Sequence, residues 1–151
     1  MSAIHLARVP QIVQGAGALA ELGATLAGLI PKTGPVLLVA DPGLRAGGLI
    51  DAVGTALRAG GYAVIVYDDV KSDPTMEQAD AAAALARRER AAGVVSVGGG
   101  SAMDVGKTIA AVATGTQSVS HYGLCANPFP ATRLPSVCLP TTSGTGWEAT
   151  R

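Results

Sequence analysis

The run Val94-Val95-Ser96-Val97-Gly98-Gly99-Gly100-Ser101-Ala102-Met103-Asp104-Val105-Gly106-Lys107-Thr108 constrains the fold more than any other stretch of the chain. A buried-type strand passes directly into three glycines, and a serine and a helix-forming segment follow at once. Three successive glycines carry an entropic cost that a plain connection does not require. Strand, glycine turn and helix start in succession leave backbone N–H groups unpaired at the positive end of a helix dipole, with no Cβ to block close approach. Phosphate oxygens suit such a place. Two familiar phosphate fingerprints nevertheless fail: Ser101 stands where a Walker loop needs its first glycine, and Met103 where a G-x-G-x-x-G turn needs its third. The alternative is a glycine-rich turn that serves packing alone.

The remainder of the chain alternates strands and helices. Val36–Ala40 is a continuous apolar run, as in a strand covered on both faces, and Asp41-Pro42-Gly43 stops it. A helix is predicted from about Leu44 to Ala59, ended by Gly60-Gly61, then a strand over 63–67 closed by Asp68-Asp69. Asp73 is predicted to cap the next helix, with Pro74 at its first position and Gly93 at its end. Arg87, Arg88 and Arg90 read as a solvated helix face. Ser101 is predicted to cap a helix over 102–114, with Asp104 completing a capping-box-like pair. Residues 115–135 read as irregular, 136–139 as a short strand, and 144–150 as the start of another helix. Gly15-x-Gly17-x-x-Ala20 matches a looser dinucleotide fingerprint, but only a short, interrupted apolar run precedes it, so it reads as a packing turn.

Alternation of this kind predicts a parallel sheet with helices on both faces, an α/β, Rossmann-like architecture. Ligands of such sheets bind beyond the carboxyl ends of the strands. Asp41, Asp68, the 98–101 turn and Thr141-Thr142 all fall at strand carboxyl ends, so one edge collects every candidate residue.

The pattern Gly98-Gly99-Gly100-Ser101-x-x-Asp104-x-x-Lys107 resembles the iron-dependent (group III) alcohol dehydrogenases. Leu139-Pro140-Thr141-Thr142-Ser143-Gly144-Thr145-Gly146-Trp147-Glu148-Ala149-Thr150 is similar to that family's P-T-T-x-G-T-G-S-E motif, at the family's spacing. Trp147 departs from it by replacing a small serine. The resemblance covers the whole chain but only the first part of such an enzyme. It implies that residues 1–151 form one dinucleotide-binding domain, lacking the family's all-helical C-terminal domain and inactive alone. In that reading Gly98, Gly99, Gly100 and Ser101 hold a pyrophosphate, and Thr141 and Thr142 match cofactor-contacting threonines. As residues alone, those threonines serve equally well as strand-end hydroxyls satisfying local backbone.

Asp41 has two readings. A carboxylate at this strand end accepts hydrogen bonds from ribose hydroxyls and repels a 2′-phosphate, which favours NAD over NADP; alternatively Asp41 simply shapes an Asp-Pro-Gly turn. Asp104 reads as structural, since a carboxylate aimed at phosphate would repel it. Lys107, one turn on, either pairs with Asp104 or reaches phosphate. The family's metal ligands, one aspartate and three histidines, have no counterpart: His5 and His121 stand in unrelated contexts. Fe2+ or another divalent metal is therefore expected only with the C-terminal domain. The expected activity of the whole enzyme is oxidation of an alcohol to an aldehyde or ketone, or the reverse. Glycerol or glycerol-phosphate dehydrogenase-like chemistry and a stand-alone nucleotide-binding module are the alternatives.

Composition narrows the partners. Lys plus Arg and Asp plus Glu stand at 11 each, which argues against nucleic-acid or membrane-surface binding driven by charge. Apolar residues make up 48% of the chain and charged ones 15%, so a packed core is expected and disorder is not. No apolar run reaches membrane-span length and no leader pattern is present. Two cysteines, Cys125 and Cys138, make neither a disulfide framework nor a metal cluster, consistent with a reducing cytoplasm. A domain built to pack on a second one leaves apolar surface, which predicts a homo-oligomer.

Overall fold

The computed structural model describes residues 11–143. Four strands, β1 (Val36–Ala40), β2 (Val64–Tyr67), β3 (Gly93–Gly98) and β4 (Ser136–Pro140), form one sheet in the order β2-β1-β3-β4. All three pairings are parallel, with Val36 opposite both Val64 and Gly93, and Val94 opposite Ser136. The helices are α1 (Leu22–Leu26), α2 (Leu49–Ala59), α3 (Met76–Arg88) and α4 (Gly100–Val112).

The two-residue period of β1 sorts the core into two layers. Val36, Leu38 and Ala40 face α1 and α2, meeting Leu26, Ile50, Val53 and Leu57. Leu37 and Val39 face α3 and α4, meeting Ala82, Ala86, Val105 and Ile109. Every residue of β1 is buried, which is why its sequence is an unbroken apolar run. Helices therefore cover both faces, and the fold is the α/β, Rossmann-like one that the alternation predicts. α3 meets the sheet through alanines, so it packs as a thin layer.

Several boundaries differ from the sequence reading, each for a local reason. α2 starts at Leu49 rather than near Leu44, because Gly48 adopts φ 70° and a separate 3-10 turn occupies Pro42–Leu44. Asp73 does not cap α3: it sits at φ 54°, and Thr75 takes the cap in extended geometry, its Oγ1 accepting from Gln78 N at 3.3 Å. Pro74 thus precedes the cap instead of occupying the first helical position. The end of α3 is made by Arg90 in the left-handed region, with Ala91 N donating to Ala86 O, and not by Gly93, which opens β3. Arg87 is not a solvated residue either. It lies four residues beyond buried Ala83, and its guanidinium donates to Val112 O and Gln117 O at 3.2 Å, tying α3 to the end of α4. Within 115–135, Val119–Cys125 forms a 3-10 helix whose Val119 N–H is accepted by Asp80 Oδ1 at 2.7 Å. The helix start expected over 144–150 lies outside the described residues. So do Trp147, Glu148 and Thr150.

Candidate functional site

The glycine turn is built by one position that must be glycine and one that need not be. Gly98 ends β3 at φ 146°, and a Cβ there would lie 2.9 Å from Ala102 Cβ and 3.0 Å from Asp41 Cβ. Only glycine lets α4 start so close to the end of β1. Gly99 adopts φ −84° and ψ −167°, which any residue tolerates. A Cβ on Gly99 would meet nothing nearer than Thr142, at 3.8 and 3.9 Å. Among the described residues, the space beside Gly99 is therefore open.

Gly99, and not Ser101, is the N-cap of α4, and among the described residues no side chain caps this end. Ser101 lies inside the first turn, too late to cap it, so the expected pair of Ser101 with Asp104 does not close a cap. The first intrahelical bond runs from Met103 N to Gly99 O at 3.2 Å. The N–H groups of Gly100, Ser101 and Ala102 precede any intrahelical partner, and they stand at the positive end of a helix of 13 residues. Gly106, the glycine of Gly106-Lys107-Thr108, does something else: a Cβ there would lie 2.7 Å from Ser96 Cβ, so it lets α4 approach β3.

Asp41 fulfils its turn role directly. Its Oδ1 accepts from Gly43 N at 2.8 Å and caps the Pro42–Leu44 turn, which fixes the carboxylate at the end of β1 and leaves Oδ2. Asp41 and Ser101 then line one cleft of about 330 Å3, together with Pro42 and the 69–72 loop that follows β2. Thr141 N donates to Gly98 O at 2.9 Å, carrying the β3–β4 pairing past the strand ends and seating Thr142 beside Gly99. Asp68 turns away into an ion pair with Arg45. The candidate residues thus gather at one edge: Asp41, the 98–101 turn, Thr141 and Thr142.

Sequence reasoning misses the 69–72 loop. It reaches the cleft because β2 lies beside β1, an adjacency that residue order alone does not reveal. A local signal exists: Val70, buried among charged and polar neighbours, marks a loop anchored to the core. Lys71 brings a cation to a wall that otherwise carries Asp41 and Asp69.

On α4, burial raises the pKa of the Asp104 carboxyl and the nearby Lys107 ammonium opposes that. Among the described residues no group of three or more His, Cys, Asp or Glu side chains is placed to hold a metal ion. His121 packs edge-on against Tyr122, with ring centroids 5.0 Å apart. The described residues therefore do not fit a metal centre.

The start of α4 behind the glycine turn and the aspartate fixed at the end of β1 stand together at the carboxyl edge of a parallel sheet, where folds of this class bind ligands. The model of the iron-containing alcohol dehydrogenase family matches residues 10–151. Long-chain-alcohol dehydrogenase 1 of Geobacillus thermodenitrificans is 38% identical over 152 residues, which is 99% of this chain and 38% of that enzyme. Sulfoacetaldehyde reductase from Bifidobacterium kashiwanohense, solved in complex with NAD+, superposes with a TM-score of 0.77 at 31% identity, covering 89% of this chain and 35% of that one. The NADH-dependent butanol dehydrogenase A of Thermotoga maritima superposes with a TM-score of 0.84 at 26% identity, covering 97% and 36%. The chain belongs to the iron-containing alcohol dehydrogenase family. It spans well under half the length of these relatives. No described helix is long and apolar enough to cross a membrane.

Proposed function

We propose that this chain binds NAD at the carboxyl edge of its sheet, as the cofactor-binding part of an alcohol dehydrogenase interconverting alcohols with aldehydes or ketones. The observation that carries the reading is the uncapped start of α4 behind Gly98-Gly99, open beside Gly99 and adjoining the cleft that Asp41 lines. When bound, the nicotinamide accepts or returns a hydride; that chemistry is the cofactor's own.

Each residue then has a physical task. The N–H groups of Gly100, Ser101 and Ala102 bind pyrophosphate oxygens, and the absent Cβ of Gly99 admits them closely. Gly98 brings this turn against Asp41. The Asp41 oxygen not engaged by Gly43 accepts from a ribose hydroxyl, and its charge repels a 2′-phosphate. Thr142, beside Gly99, supplies a hydroxyl near the same phosphates, and Thr141 holds that segment through its own backbone bond. The NAD+-bound sulfoacetaldehyde reductase and the NADH-dependent butanol dehydrogenase support NAD as the cofactor. Fe2+ or another divalent metal would take its ligands from outside residues 11–143. We place the chain in the cytoplasm, supported by the free thiol of Cys138, and in a homo-oligomer, supported by exposed Ile12, Leu29 and Met76.

Calorimetric titration of the chain with NADH and with NADPH tests the reading. NADH is expected to bind at least roughly tenfold more tightly, the effect of one like-charge contact with a 2′-phosphate. A folded chain that binds neither, or prefers NADPH, would overturn it.

A further inference from the structure

The 69–72 loop forms a wall of the cleft, yet it has no regular structure of its own. Two devices fix it. Val70 is inserted into the α3–α4 core layer at 5% exposure. Gln78, from the first turn of α3, grips the loop backbone on both sides of that anchor. Its Nε2 donates to Asp69 O, and its Oε1 accepts from Lys71 N at 3.4 Å. The Tyr67 hydroxyl lies against the same amide.

Gln78 has another role available that it does not take. A glutamine three residues after an N-cap threonine ordinarily turns back to the N-cap N–H, closing a capping box. Thr75 caps Gln78 N in the standard way, but the Gln78 amide extends to the loop instead. The loop then leaves through Asp73 in the left-handed region, a conformation that persists only where its surroundings hold it. An amide that donates and accepts at once fits a carbonyl and an N–H two residues apart, and no other uncharged side chain of that reach does so.

We propose that Gln78 is a positioning residue for the dinucleotide: by clamping Asp69 and Lys71 it sets one wall of the cleft that Asp41 also lines, and so governs affinity for the adenosine–ribose half. The inference rests on the NAD reading above. It makes a split prediction, because the pyrophosphate turn belongs to α4 and not to the clamp. In Gln78→Met, similar in length but without the amide, affinity for ADP-ribose should fall about threefold to tenfold, the net effect of one or two hydrogen bonds. Affinity for inorganic pyrophosphate should stay unchanged. Gln78→Leu, also uncharged and without the amide, should show the same split between ADP-ribose and pyrophosphate; it carries the test alone if Gln78→Met does not fold. Amide exchange at Lys71 should quicken in Gln78→Met.

The outcomes separate. Wild-type chain that binds neither NADH nor ADP-ribose removes the NAD reading, and this inference with it. Wild-type binding together with unchanged ADP-ribose affinity in both variants overturns the inference alone. Equal weakening toward ADP-ribose and pyrophosphate also overturns it, since that is the mark of a general structural defect.

Discussion

Two clefts of similar size lie at opposite ends of the same sheet. At the amino ends of β1 and β2, residues 32–35 and 61–63 enclose about 300 Å3; at the carboxyl ends, Asp41, Ser101 and the 69–72 loop enclose about 330 Å3. Volume does not distinguish them. Their polar groups do. At the amino end, Tyr62 turns its hydroxyl inward to Ile30 O at 3.1 Å, and the Lys32 ammonium rests 5.3 Å from the Tyr62 ring centroid. Those groups are already engaged by the protein. At the carboxyl end the start of α4 carries N–H groups without intrahelical partners, and Asp41 holds an oxygen outside its turn. The asymmetry follows from parallel strands, because every helix that leaves a strand begins at the carboxyl edge. What makes a binding edge is unengaged donors held in place, and a hole alone does not suffice.

The sharpest way to break that contrast is within the glycine turn. Gly98→Val forces a side chain onto φ 146° and into Asp41 and Ala102, so unfolding should be easier by about 3 kcal/mol or more, with NADH binding lost. Urea unfolding and calorimetry read both effects. Gly99→Ala separates fold from ligand. Its methyl fits beside Thr142, so stability should change by less than about 1 kcal/mol, while NADH affinity falls roughly tenfold or more as the methyl occupies the approach to the turn. Normal NADH affinity in Gly99→Ala would show that the phosphates sit elsewhere.

Comparing the two ends directly gives a smaller effect. Asp41→Ala should cost about 1 kcal/mol through the lost turn cap and narrow the preference for NADH over NADPH. Lys32→Ala, at the amino end, should leave NADH affinity as it is; a loss there would dissolve the distinction.

The smallest effect concerns Asp104. Burial raises its carboxyl pKa in the folded chain, more than Lys107 lowers it. The folded state then takes up the proton first as pH falls, so the penalty present at neutral pH is relieved below it, in the window just above the ordinary carboxylate range. Asp104→Asn should equal or slightly exceed the wild type in urea midpoint at about pH 7, and the gap should narrow as the pH falls into the carboxylate range and vanish once the carboxyl is protonated in both states. A variant weaker at neutral pH would mean that the Lys107 contact outweighs burial.

Much of this is legible in the residues because it is written locally. Strand β1 is a continuous apolar run and β3 one interrupted only by the buried Ser96, both are buried throughout, and strand–helix alternation implies parallel pairing. Asp41, the 98–101 turn and Thr141-Thr142 stand at strand ends, where such sheets bind ligands. What is not legible depends on adjacency or on choices between equivalent groups. The 69–72 loop joins the cleft only through the neighbouring of β2 and β1. Asp73 and Thr75 both resemble caps, and backbone geometry favours Thr75. Ser101 resembles a cap too, but the turn at Gly98 lets α4 begin two residues sooner. Arg87 stands among charged neighbours, although helical spacing from Ala83 puts it on the buried side.

The most direct test of the central claim is an amide NMR map of the chain with and without NADH. Shifts concentrated at Gly99–Ala102, Asp41 and the 69–72 loop, with residues 32–35 and 61–63 unmoved, are the predicted result. Shifts centred on Lys32 and Tyr62, or none at either end at saturating NADH, would contradict it.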